Sequence, residues 1–186
     1  MADLTCCRTL IMHLTDPLKA VREMARVTRK GGIVAAFERG SFNSAFIPED
    51  ETLTKLAVRL GEAYVDGVRK LEGKYFNIGE RLPTIFREAG LKETMAEIQA
   101  DTYLATDPRR KLKDVRDELA FELATFKETR GVSDKAMIAG GASKTNVARY
   151  NRWFEKFTEG LLSDDKLLRR DTTFGAGGMY LVAGRK

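Results

Sequence analysis

Between residues 3 and 38 the apolar pattern switches from strand to helix and back, and this switch constrains the fold more than any other feature. Asp3 to Arg8 is a short apolar-rich run of strand length. Asp16-Pro17 then opens a helix, with Asp as cap and Pro at the first helical position, where its missing N–H costs nothing. Leu18, Val21, Met24, Ala25 and Thr28 line one face of that helix, and Gly31-Gly32 is expected to end it by permitting positive φ. Ile33 to Glu38 shows no alternation, the pattern of a strand covered on both faces in a parallel sheet. Strand, helix and strand within about 36 residues make a βαβ unit, whose crossover is nearly always right-handed.

A second helix is expected after Pro48, with Leu53, Leu56, Leu60, Tyr64, Val68 and Leu71 at helical spacing and Gly73 closing it. A third begins near Arg81-Leu82-Pro83 and stops at Gly90, and residues 91–105 alternate as a strand. Two long amphipathic helices follow, one carrying Leu112, Val115, Leu119, Leu123 and Phe126, the other Val147, Tyr150, Phe154, Phe157 and Leu161. Between them a short helix capped by Ser133 is expected, then a turn at Gly140-Gly141-Ala-Ser143. The chain closes on a strand, Met179 to Gly184. Phe174-Gly-Ala-Gly-Gly178 reads as a turn or bulge before that strand. It is not a phosphate loop, because no helix N-terminus follows it.

With 43% hydrophobic and 32% charged residues, the chain has the balance of a folded domain rather than a disordered one. Its longest apolar run, Ile33 to Phe37, cannot span a bilayer, and no secretory leader pattern opens it. The two cysteines, Cys6 and Cys7, are adjacent on a strand and point to opposite faces, so they make neither a disulfide framework nor a metal site. These features suit a cytoplasmic, reducing setting. The formal charge of +5 invites a nucleic-acid reading. The only dense basic cluster, Arg109 to Lys113, is answered at once by Asp114, Asp117 and Glu118 on the same helix, which marks a solvated face. Nucleic acid is therefore not the favoured partner.

Three runs together resemble a known family. Arg22-Glu-Met-Ala-Arg-Val-Thr-Arg-Lys-Gly-Gly32, Arg81-Leu-Pro-Thr-Ile-Phe-Arg-Glu-Ala-Gly90 and the closing Val182-Ala-Gly-Arg-Lys186 are similar, in order, to segments of class I S-adenosylmethionine-dependent methyltransferases of the ubiquinone and menaquinone type. The resemblance implies an α/β fold: the C-terminal portion of a Rossmann-like sheet, strands 4-5-7-6 with the last antiparallel, and a helical lid. It divides the chain into a core of residues 1–106 and 167–186 and a lid of residues 107–166.

It also implies a site. Ligands of open α/β sheets bind beyond the carboxyl ends of the strands. Cys7, Arg8 and Thr9 would lie beside the S-adenosylmethionine cofactor, and Glu38 and Arg39 beside a small-molecule methyl acceptor. His13, the only histidine, would take the acceptor's proton and has no second histidine with which to hold a metal. Trp153 lies off the apolar stripe of its helix and is the lid residue expected to touch the acceptor.

The same family carries an acidic-x-Gly-x-Gly-x-Gly loop and a ribose-binding acid ahead of this region, and neither occurs in residues 1–186. The expectation is of a truncated fold, active only when completed by the missing strands. An apolar first strand left at a sheet edge invites pairing with an N-terminal partner chain or another copy. The alternative is a catalytically silent binding or regulatory subunit.

Overall fold

A computed structural model describes residues 1–48 and 50–186, the side chains of residues 42 and 43 aside. The elements are β1 (Ala2–Arg8), α1 (Pro17–Val27), β2 (Thr28–Phe46), α2 (Glu51–Glu72), α3 (Leu82–Glu88), β3 (Lys92–Leu104), α4 (Leu112–Ala139), α5 (Lys144–Ser163), α6 (Asp165–Leu168) and β4 (Phe174–Arg185), with single 3-10 turns at Ile11–His13 and Gly79–Arg81. They form two compact units, Met1–Phe42 with Val68–Asp101 and Gly177–Lys186, and Asn43–Gly67 with Thr102–Ala176.

The mixed α/β architecture expected from the sequence is present, in a sheet of order β1-β2-β4-β3. β1 and β2 are parallel, in register from Leu4↔Ile33 to Arg8↔Phe37. Gly31 donates its N–H to the Lys186 carbonyl at 2.9 Å and Lys186 donates to Gly32 at 3.0 Å, while the Tyr180 ring lies against Gly40. Residue numbers rise along β2 as they fall along β4, so β4 is antiparallel to β2.

Asp16 caps α1 as anticipated, its Oδ1 accepting the Lys19 N–H at 2.9 Å. The helix ends earlier than the glycines suggested. Thr28 is its cap, and the Thr28 hydroxyl donates to the Met24 carbonyl at 2.7 Å. Gly31 instead serves β2. From residue 2 to 4 of β1 the partner advances from 28 to 33, and Gly31, at φ +76°, turns within that bulge. A Cβ on Gly32 would sit 2.8 Å from the Asp3 carbonyl oxygen, so the strands meet there only through glycine.

The core of the first unit gathers Ile11, Val21, Val34, Ala36, Phe86 and Val182, all fully buried. α1 and α3 pack against each other over this face. From residue 33 to residue 38 of β2 the buried residues are Val34, Ala36 and Glu38, whereas Ile33 is exposed and Ala35 and Phe37 are half-buried. This corrects the expectation of a strand covered on both faces: within the first unit α1 and α3 lie on one side, and Leu4, Ile33 and Leu181 remain exposed. β1 is an edge strand.

In the second unit α4 and α5 form an antiparallel pair, tied by Lys127 to Glu155 and Glu159 and by the Asn151 amide donating to Asp134 at 2.8 Å. α4 runs unbroken through Ser133, where a separate short helix was expected. The buried Ala136 and Met137 continue its inward face past that residue. Ser143 does cap a helix, α5, accepting the Asn146 N–H at 3.2 Å. Phe174 to Gly178 belongs to β4 rather than to a turn.

Candidate functional site

The candidate site is built where β1 ends beside residues 37–39 of β2, which itself runs on to Phe46. β1 delivers Cys7 and Arg8, and the next residue, Thr9, adopts φ +47°, a left-handed conformation that a β-branched residue seldom takes. Its N–H donates to the Phe37 carbonyl at 2.9 Å, so the chain leaves β1 while still bonded to β2. This bend turns residues 10–12 back over the end of the strand.

Glu38 holds that loop. Its side chain is fully buried, with Oε1 accepting the N–H groups of Leu10 at 2.9 Å and Ile11 at 2.8 Å, and Oε2 accepting that of Met12 at 3.3 Å. Backbone donors thus surround a buried carboxylate, and the first residues of the 3-10 turn lose no hydrogen bond. The Cys7 thiol also points at Glu38, Sγ to Oε1 3.9 Å. Burial first, and the neighbouring Glu38 charge second, push the Cys7 thiol up to about 12. Cys7 is therefore a protonated thiol at neutral pH and no nucleophile.

Arg8 is exposed and lies over the Phe37 ring, 5.5 Å from its centroid. His13 is exposed at the end of the 3-10 turn and meets Phe76 edge-on, with ring centroids 5.3 Å apart at 79°. Arg39 is exposed on β2. The first unit thus brings Cys7, Arg8, Thr9 and His13 to the end of β1, beside Glu38 and Arg39, which lie inside β2 rather than beyond its end as expected, because β2 continues to Phe46. Trp153 belongs to the second unit, where it stacks on Phe157 at 5.1 Å and 17° and packs with Tyr150. Among the described residues no group of three His, Cys, Asp or Glu side chains could hold a metal, and no helix is long and apolar enough to cross a membrane.

One contact further along β2 had no sequence signal. Glu80 Oε1 accepts both the N–H and the hydroxyl of Ser41, each at 2.5 Å, one residue beyond Gly40. Burial works against ionisation of Glu80, yet the bonds from Ser41 and Tyr180 hold its carboxyl below the usual range.

The βαβ unit carrying this loop is the part of the chain with a recognisable relative. Residues 1–36 match the methyltransferase domain family. That match spans β1, the loop over Glu38, α1 and the first part of β2. No curated protein matches the chain. Three solved structures align with 99% of it: a candidate methyltransferase from Bacillus halodurans (14% identity, TM-score 0.46, 69% of that chain covered), phosphoethanolamine N-methyltransferase 2 of Haemonchus contortus with S-adenosylhomocysteine bound (15%, 0.37, 33%) and the YcgJ protein of Bacillus subtilis (16%, 0.42, 63%). The chain thus spans between a third and about two thirds of their lengths. At these values the likenesses bear on neither activity nor ligand.

Proposed function

We propose that this chain takes part in S-adenosylmethionine-dependent methyl transfer to a small-molecule acceptor. The observation that carries the reading is the methyltransferase-domain match of residues 1–36, which covers the carboxyl end of β1 and the loop after it, where α/β folds bind ligands.

The residues present fit one side of the cofactor. The N–H groups of Thr9 to Met12 are already committed to Phe37 and Glu38, which leaves the exposed side chains of Thr9 and Arg8 as the polar groups the end of β1 can offer. When bound, the group supplies a methyl already activated on a positive sulfur. This chain's part is then to orient and shield. Glu38 fixes the loop, Thr9 and Arg8 line it, and His13, steadied against Phe76, accepts the proton of the methyl acceptor. Arg39 contacts the acceptor beside this loop.

In this reading the open edge of β1 pairs with further strands that complete the cofactor cleft, supplied by an N-terminal partner or by another copy. Two free cysteines and no disulfide suit a cytoplasmic protein. Ultraviolet cross-linking with methyl-labelled S-adenosylmethionine, followed by peptide mapping, tests the reading. Label on the peptide from Cys7 to His13 supports it, and a chain that takes no label at saturating cofactor sinks it.

One observation favours a second reading, a catalytically silent binding subunit. Every backbone donor of the loop from Thr9 to Met12 is spent within the protein. Cross-linking to a copurifying chain through β1, with no cofactor label, would select it.

A further inference from the structure

A second concavity lies wholly within the first unit, next to the loop over Glu38, whose Met12 carbonyl accepts the N–H of the lining residue Tyr75 at 2.9 Å. It is a cleft of about 550 Å³ between the first turn of α1, the Gly79–Arg81 turn and the first turn of α3. That volume is in the range of sites for small organic molecules. It shares no lining residue with Cys7–Thr9, Glu38 or Arg39.

Its lining is amphipathic in an ordered way. Leu18, Ile78 and Ile85 give it an apolar wall. Asp16, Glu80 and Arg81 give it charges of both signs. None of these three charges is in an ion pair among the described residues. Asp16 is occupied by the Lys19 N–H and Glu80 by Ser41, both neutral donors, while Arg81 lies over the Tyr75 ring, 5.5 Å from its centroid. Two carboxylates and one guanidinium therefore share a concave surface without neutralising one another.

This arrangement discriminates between ligand charges. A simple anion would meet Arg81 but face two carboxylates. A simple cation would meet the carboxylates but face Arg81. A molecule carrying ammonium and carboxylate together satisfies both, since a guanidinium matches a carboxylate in a bidentate fork and the acids accept from an ammonium. The apolar wall then has room for a branched aliphatic tail.

We propose that this cleft binds a small zwitterion of the free α-amino-acid class with an aliphatic side chain. The site goes beyond methyl transfer and stands or falls separately from it. The test is a binding measurement on the full chain, by calorimetry and saturation-transfer NMR without cofactor. Three probes of one skeleton are compared: leucine, isopentylamine (leucine without its carboxylate) and 4-methylpentanoate (leucine without its ammonium). Leucine is expected to bind about tenfold more tightly than either analogue, the effect of one lost charge-assisted bond. Arg81→Gln should bring leucine down to the level of the amine, and Glu80→Gln should narrow its advantage over the acid. Isopentylamine binding as tightly as leucine would make this a plain cation site and overturn the proposal. So would the absence of leucine binding at millimolar concentration, or an Arg81→Gln variant of unchanged leucine affinity. The wild-type comparison needs no variant to fold.

Discussion

Glu38 accepts the N–H of Ile11 at 2.8 Å across 27 residues of chain, and neither group has water to fall back on, because both residues are fully buried. The bond ties the middle of β2 to the turn that follows β1. Glu38→Ala strips acceptors from Ile11 and Met12 inside the core and from Leu10 at its margin, leaving buried donors unsatisfied. The expected loss is about 3 kcal/mol of unfolding free energy by urea denaturation. Glu38→Gln keeps one acceptor oxygen and should cost less. Equal losses in the two variants would show that shape, rather than hydrogen bonding, holds the loop.

Cys7 adds a dependence on alkaline pH. Its thiol sits at about 12 in the folded chain against an ordinary 9.0, owing to burial and then to Glu38. A raised acid contributes stability in full below the unfolded value, and that contribution is lost as pH climbs from 9.0 toward 12. Cys7→Ala should therefore lose stability less steeply over that window than the parent. Exposed Cys6 should alkylate readily at pH about 8 while Cys7 stays protected. Matching alkaline slopes for parent and variant would contradict the buried thiol.

Local chemistry was the legible part of this fold. Asp16-Pro17 starts a helix because a side-chain oxygen and a fixed φ act within one turn, and Gly73 and Gly90 stop helices because each takes positive φ. What escaped needed partners distant in sequence. Gly31 looked like a helix stop, but Thr28 had already turned its hydroxyl back to Met24, which left the glycine for a bulge whose need is set by β1. Ser133 looked like a cap, but the packing of Ala136 and Met137 carries α4 through it. Glu38 was visible as the residue closing the run from Ile33. Its three N–H partners lie 26 to 28 residues earlier and could not be read from spacing.

The acid side of the stability profile is set in part by Ser41 and Glu80. Hydrogen bonds from Ser41 and Tyr180 outweigh the effect of burial and lower the Glu80 pKa from an ordinary 4.5. A lowered acid contributes stability above its unfolded value and loses it as pH falls through the folded one. Ser41→Ala removes the hydroxyl but keeps the N–H, so its stability should fall less between neutral pH and the region below 4.5 than the parent's does. Urea titrations at a series of acid pH values measure the difference. Parallel curves for the two proteins would remove Ser41 from the account.

Within the second unit α2 and α4 approach through a reciprocal pair of glycines. A Cβ on Gly67 would lie 1.7 Å from the Ala136 carbonyl oxygen, and one on Gly140 would lie 1.7 Å from that of Ala63. Both obstacles are backbone, so neither can rotate away, and relief requires the helices to separate. Gly67→Ala and Gly140→Ala should each cost about 3 kcal/mol, the upper end of what overpacking costs. Gly160, inside α5, has nothing within 4 Å of such a Cβ, and Gly160→Ala should instead stabilise by about 0.5–1 kcal/mol through helix propensity. Trp153 is the only tryptophan and is stacked on Phe157 in this same unit, so its fluorescence during urea unfolding reads all three variants. The opposed signs are the decisive part. A uniform loss across the three would mean that backbone flexibility, not the close approach of α2 and α4, makes glycine necessary here.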